Sequence, residues 1–183
     1  MARIKPITRE EATPDQQRVG DVIYGSRKEE YGGPSAILLH IPELAERFDH
    51  LRNYLVREQK LPDPMVHLAA LMAARFWAAE YAWWKRVPMC LEAGIPQEVI
   101  DAVLERRRPE FADSDLEAVY DYLTELLEDR RVSVRTHQRL QGIIGDESMI
   151  ELVLVLGFYS MLGLVCNAFE PDFPPGVAPP RLI

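Results

Sequence analysis

Cysteine is nearly absent from this chain. Cys90 and Cys166 are its only two, 76 positions apart and in separate apolar stretches. Neither belongs to a CxxC, and two distant thiols make no disulfide framework, so the expectation is a pair of buried, inert thiols in a reducing compartment. Histidine is also scarce. His40, His50, His67 and His137 fall in no H-x-H or H-x-x-x-H spacing, so no metal site is expected. Neither a phosphate-cradling glycine loop nor a G-x-S-x-G elbow is present, and no cofactor is expected. Basic excess is missing too: 29 acidic against 21 basic residues leave a net charge of -8. Nucleic acid and anionic membrane surfaces, which need a basic stripe, are therefore not expected partners. The longest apolar run, Leu152 to Cys166, spans 15 residues and contains Gly157, Ser160 and Gly163. That is short of the roughly 18 residues of a membrane span, and a fully buried helix is the reading. The opening MARIKPITREEATPD lacks an apolar h-region, so no secretory leader is expected and the cytoplasm is the expected location.

What is present is helical punctuation. Thr13-Pro14 reads as an N-cap and first helical position, opening a short helix to about Tyr24 that ends at Gly25 and the charged RKEEYGGP. SAILLHIP follows as a short helical or irregular segment. Pro42 begins a helix whose Leu44, Phe48, Leu51 and Leu55 form one apolar stripe, with Glu43, Glu46, Arg47, Asp49 and Arg52 outside it. Further on, Pro96 opens QEVIDAVLERR, Ser114 caps a helix carrying Leu116, Val119, Tyr120, Leu123 and Leu127, and Ser133 starts a short helix to Ile144. Gly145-Asp146 is a stop and a cap, and the apolar helix from Glu147 to about Phe169 is last. No run has strand period, so the fold class is all-α: about seven helices in one domain. Residues 1–32 read as an N-terminal arm with a short helix, 33–175 as the helical domain and 176–183 as the tail, and the closing proline-rich EPDFPPGVAPPRLI is expected to wrap over a neighbour or be partly disordered. The last helix is apolar all round, so other helices surround it or an oligomer interface covers it.

The stretch Pro64 to Pro96, PMVHLAALMAARFWAAEYAWWKRVPMCLEAGIP, holds all three tryptophans, an early His67 and Arg86. Asp63 is the expected N-cap, and Ala93-Gly94 the stop. Pro88 lacks a donor and clashes with the carbonyl four residues back, so a kink or restart is expected there. On one straight helix His67 and Arg86 would point about 100° apart. They converge only if the helix bends or breaks between them.

SAILLHIPELAERF, the HLAALMAARFWAAEYAWWKRVPMCLEAGIP block and LVLVLGFYSMLGLVCNAFEPDFP together resemble the carboxymuconolactone decarboxylase-like family of the AhpD-like alkylhydroperoxidase superfamily. The likeness runs in order from about Gly33 to Pro175. It implies an AhpD-like helical bundle whose central stretch is interrupted, here expected in the bulky FWAAEYAWW run, and a homotrimer or homohexamer. In that family a central Glu and a His 19 residues later carry the chemistry, with a CxxC before the His in the peroxidase branch. Here His67 stands at the Glu position, Arg86 at the His position, and Ala79 and Ala82 at the CxxC. Dithiol peroxidase activity is therefore disfavoured, since it needs an attacking thiolate and a resolving thiol. A guanidinium does not shuttle protons, but it orients carboxylates and stabilises oxyanions.

The candidate catalytic residues are accordingly His67, Arg86, Tyr81 and Glu80, with Trp83, Tyr159 and Asn167 as substrate-binding candidates. Two functions remain open. One is a cofactor-free acid/base enzyme (decarboxylase, isomerase, hydratase or lactone-processing) acting on a small organic acid or lactone. The other is a non-catalytic oligomeric relative that binds a small molecule. A cavity holding His67 and Arg86 favours the first, and one packed shut by Trp77, Trp83 and Trp84 the second.

Overall fold

The computed structural model describes residues 2–27, 31–178 and 180–182. Positions 28–30 of the charged segment after the first helix, and Pro179 of the tail, lie outside the described residues. Among the described residues there are eight α-helices and no strand. These are α1 (Pro14–Tyr24), α2 (Gly33–Leu38), α3 (Pro42–Asn53), α4 (Asp63–Phe76), α5 (Glu80–Glu92), α6 (Gln97–Leu104), α7 (Ser114–Glu128) and α8 (Val134–Phe169). A 3₁₀ turn (Gly25–Arg27) extends α1, and a π-helical turn (Tyr54–Glu58) extends α3.

Local chemistry accounts for most boundaries. Thr13 caps α1 in a reciprocal capping box with Gln16, and Pro14 fills the first helical position. Two expected caps move by one residue. Asp63 and Ser114 are the first residues of α4 and α7, and the cap of α7 is Asp113, whose carboxylate accepts the N–H groups of Asp115 and Leu116. Ser133 caps α8 through the N–H of Thr136. The two helices expected either side of Gly145 are both present within α8. Gly145, at φ 72° and ψ 172°, leaves helical geometry and kinks the chain between them, at a φ that suits a residue without Cβ.

The central stretch breaks once, and not at its proline. Pro88 lies inside α5 without ending it. The chain instead turns at Trp77–Ala79, where Ala78 adopts a positive φ of 48°. The turn is tied by Ala79 N–H to Ala74 O at 2.8 Å, and by the Asn167 amide to Trp77 O at 2.6 Å. Helix α8 comes close at this point: a Cβ on Gly163 would lie 3.3 Å from that of Trp77.

Helix α4 is the axis of the main core, packed on α5, α7 and α8. A smaller core of Val19, Tyr24, Leu39 and Ala45 joins α1, α2 and α3. Of the stripe read on α3, Phe48 packs on the main core and Leu55, in the π-helical turn, is fully buried, whereas Leu44 and Leu51 are exposed. Ala45 and Asp49 are buried as well, because α1 and α2 pack on the side where the small Ala45 permits close approach. Nor is α8 fully buried. It is long and apolar enough to cross a membrane by length and composition, and half of its most apolar window is buried inside the molecule. The rest shows an outward stripe of Ile150, Val153, Leu154, Met161 and Leu164. The tail packs on its own subunit: Phe173 lies against Tyr81 and Trp84, and Leu182 is buried with its carbonyl accepting from Arg75.

Candidate functional site

The break at Trp77–Ala79 reverses the central stretch, so α5 returns beside α4. Residues 19 apart in sequence thereby meet. An Arg86 Nη donates to His67 Nδ1 at 3.1 Å, and the other donates to the Tyr159 hydroxyl oxygen at 2.9 Å. Arginine only donates, so Nδ1 accepts and the ring proton of neutral His67 sits on Nε2. Burial, then the Arg86 charge, push the His67 pKa below its ordinary value near 6.5. The guanidinium also lies over the Tyr159 ring, 4.4 Å from its centroid. Arg86 is thus a buried cation, 8% exposed, held by two side chains from two helices. Three of its five N–H groups remain for a ligand.

Arg86 faces a cavity of about 650 Å³ between α1, α2, α3, α5, α8 and the tail, within the usual range of small-molecule sites. Helix α5 contributes Tyr81, Ala82, Lys85, Arg86 and Met89, one contiguous helical face. Tyr81 and Arg86 stand at its two edges, about 7.5 Å apart along the axis, and the small Ala82 between them leaves room. The Tyr81 hydroxyl has no hydrogen bond among the described residues. Its oxygen rests on Gly33, where a Cβ would come within 2.3 Å. Gly33 also has a φ of +64°, so two separate constraints favour glycine there. Burial raises the Tyr81 phenol to about 12, so it stays protonated at neutral pH.

The sequence-derived candidates therefore separate. Arg86, Tyr81 and Tyr159 line the cavity. His67 touches Arg86 from behind and is not in the cavity wall. Trp83 is buried in the main core, Glu80 begins α5 away from the cavity, and Asn167 is exposed and holds the Trp77 carbonyl. The tryptophans do not pack the cavity shut. Several wall residues escaped the sequence reading. Asp49 and Arg52, assigned there to the outer face of α3, line the cavity as a pair, Arg52 Nη to Asp49 Oδ1 at 2.6 Å, with Asn53 bonding Asp49 Oδ2 at 3.0 Å. Tyr24, Phe48 and Phe173 were equally unmarked. The usable signal was an Asp and an Arg three apart beside Ala45 on a helix with a polar half.

The thiols are remote from any such role. Cys90 donates to the His67 carbonyl at 3.5 Å, and burial raises both Cys90 and Cys166 to about 12. Among the described residues, no group of three or more metal-ligating side chains comes together.

An all-α, single-domain protein with a partly open cationic cavity is the class that fold and site define. No protein-family model matches the sequence, and no curated protein matches it. Among solved structures it is similar to a cysteine-to-alanine variant of the debrominase Bmp8 in complex with 2,3,4-tribromopyrrole. That likeness has a TM-score of 0.73 at 13% identity and covers 96% of this chain and 95% of the other.

Proposed function

We propose that the protein is a carboxymuconolactone decarboxylase-like, cofactor-free enzyme acting on a small organic acid or lactone. The observation that carries this reading is the buried Arg86, fixed by His67 and Tyr159 and facing a cavity of ligand size. Cleavage or isomerisation beside a carboxylate or lactone carbonyl gathers negative charge on oxygen, and Arg86 holds it without prior reorganisation. Tyr159 accepts an Arg86 N–H through its oxygen, so its own proton is left to give. Tyr81 supplies a second proton from the far edge of the face. The Asp49 carboxylate is already engaged by Arg52 and Asn53. A site rich in proton donors and an anion anchor suits decarboxylation best, because the departing carbon dioxide leaves a carbanion that needs a proton rather than a base. The neighbour's complex with a brominated pyrrole supports a small ring as ligand on this fold.

A homotrimer or homohexamer of this chain is part of the same proposal, supported by the outward apolar stripe of α8. One observation favours the runner-up, a binding protein without turnover: His67, at a position that carries acid/base chemistry in the family, does not reach the cavity.

Arg86→Ala tests the reading. A charge-assisted contact to a carboxylate is worth about 1.5–3 kcal/mol, so organic-acid binding should weaken roughly 10- to 150-fold, with Arg86→Lys recovering only part. Tyr81→Phe and Tyr159→Phe should lower kcat with little change in KM. Unchanged acid binding in Arg86→Ala would remove the proposal. Full acid binding without turnover of any acid or lactone assayed would leave the binding protein.

A further inference from the structure

We propose that the ligand of this cavity is an aromatic carboxylate, with its anionic end on Arg86 and its ring among the aromatic walls. This rests on the organic-acid reading above and adds the chemistry of the rest of the ligand. Three pairs of rings from different segments meet around the space. Tyr24 of α1 and Tyr31 of the following loop are stacked at 4.6 Å. Tyr81 of α5 and Phe173 of the tail pack at 5.3 Å. Phe48 of α3 and Tyr159 of α8 both rest on the buried Phe158, at 4.4 and 5.3 Å. All six line the cavity.

Two of the hydroxyls are already committed. Tyr24 donates to Gly32 O at 2.6 Å, and Tyr31 to Asp21 Oδ1 at 2.7 Å. Their contribution to a ligand is ring surface, not hydrogen bonding. Ring surface is thus available beside the charged groups of the wall, as a flat apolar body with a charged end requires. The charge has a sign. Arg27, Arg52, Lys85 and Arg86 line the wall against Asp49 and Asp172, and Arg52 is paired with Asp49, so the balance calls for an anion. A small aliphatic acid would satisfy Arg86 and leave the rings unused.

Calorimetric titration of the intact protein with phenylacetate, cyclohexylacetate and benzyl alcohol separates ring from charge. Phenylacetate should bind from several-fold to about tenfold tighter than cyclohexylacetate, the added value of ring–ring geometry over apolar area. It should bind at least about tenfold tighter than benzyl alcohol, which lacks the charge. Phe173→Leu, in the partly exposed tail, should narrow the ring preference and leave the preference for the acid over the alcohol. Equal binding of phenylacetate and cyclohexylacetate would overturn the aromatic inference and leave the organic-acid reading standing. Equal binding of phenylacetate and benzyl alcohol would overturn the organic-acid reading while the ring preference stayed visible. No binding of either acid up to about 10 mM, a concentration at which even weak recognition registers, would overturn both.

Discussion

His67 shows how one residue acts through another. Its Nδ1 receives an Arg86 N–H, which is possible only while that nitrogen is unprotonated. Burial first and the Arg86 charge second lower its pKa, so folding disfavours the protonated ring. The sign follows from proton counting. Between the lowered folded value and the ordinary value near 6.5, the unfolded chain binds more protons than the folded one. Stability from this group is therefore fully present above about 6.5 and is lost as the pH falls through that window toward the folded value. Turnover should fall only at the lowered pH where the folded ring itself protonates and Arg86 loses its acceptor, below the ordinary value near 6.5. Gln offers an uncharged acceptor at every pH, so His67→Gln should flatten the acid limb of the kcat profile and keep much of the activity, whereas His67→Leu should lose activity at all pH values. An unchanged acid limb in His67→Gln would show that another group titrates. Thiol chemistry belongs to this scale too. With both thiols raised to about 12, hardly any thiolate exists at neutral pH. Peroxide consumption with a dithiol reductant should equal that of the Cys90→Ala, Cys166→Ala variant, and a clear loss in the variant would contradict this.

At the scale of elements, the molecule depends on how helices are tied where they end. Glu151, 6% exposed on α8, accepts the backbone N–H groups of Lys60 and Leu61 at 3.0 Å each and the Tyr54 hydroxyl at 3.2 Å. It thereby anchors the loop between the π-helical turn and α4. Removing it strands two backbone donors, so Glu151→Ala should cost on the order of 3 kcal/mol, read as a lower urea midpoint with little change in m. A loss below about 0.5 kcal/mol would mean that water takes over these donors. A second tie, Asn167 to the Trp77 carbonyl, holds the α4–α5 break on which the meeting of His67 and Arg86 depends. Surface ion pairs act differently. Arg108 and Arg139 share Glu117 and Asp121 in one network joining the loop before α7, α7 itself and α8, and exposed pairs of this kind each contribute only tenths of a kcal/mol.

For the whole molecule, the stripe of Ile150, Val153, Leu154, Met161 and Leu164 along α8 is exposed among the described residues, more apolar surface on one helix than singly scattered residues account for. Light scattering at micromolar concentration should give three or six times the 21.0 kDa subunit mass. A monomer would refute the proposed assembly. Replacing Leu154 and Met161 with Glu should dissociate the oligomer if α8 forms the contact.

The caps at Thr13 and Ser133, the all-α class and the stop at Gly145 were legible in the sequence, because each is set by residues within a turn or two of one another. Thr13 with Gln16, Ser133 with Thr136 and Gly145 act on their own backbone, and their identities suffice. Arg86 and Tyr159 could be nominated from the resemblance, but their contact across 73 residues depends on how α5 and α8 pack. The side of α3 that faces inward was legible only in part. Apolar spacing pointed to Phe48 and Leu55, which do face inward, and to Leu44 and Leu51, which do not, while the packing of α1 and α2 buried Ala45 and Asp49 and so brought a paired carboxylate into the cavity. Phe173 is the extreme case, since a proline-rich tail carries no period from which a docking position could be read. Local hydrogen bonding and sterics determine where helices begin and end. Which faces enclose a cavity depends on contacts between residues far apart in the chain, and those exist only once the helices have packed.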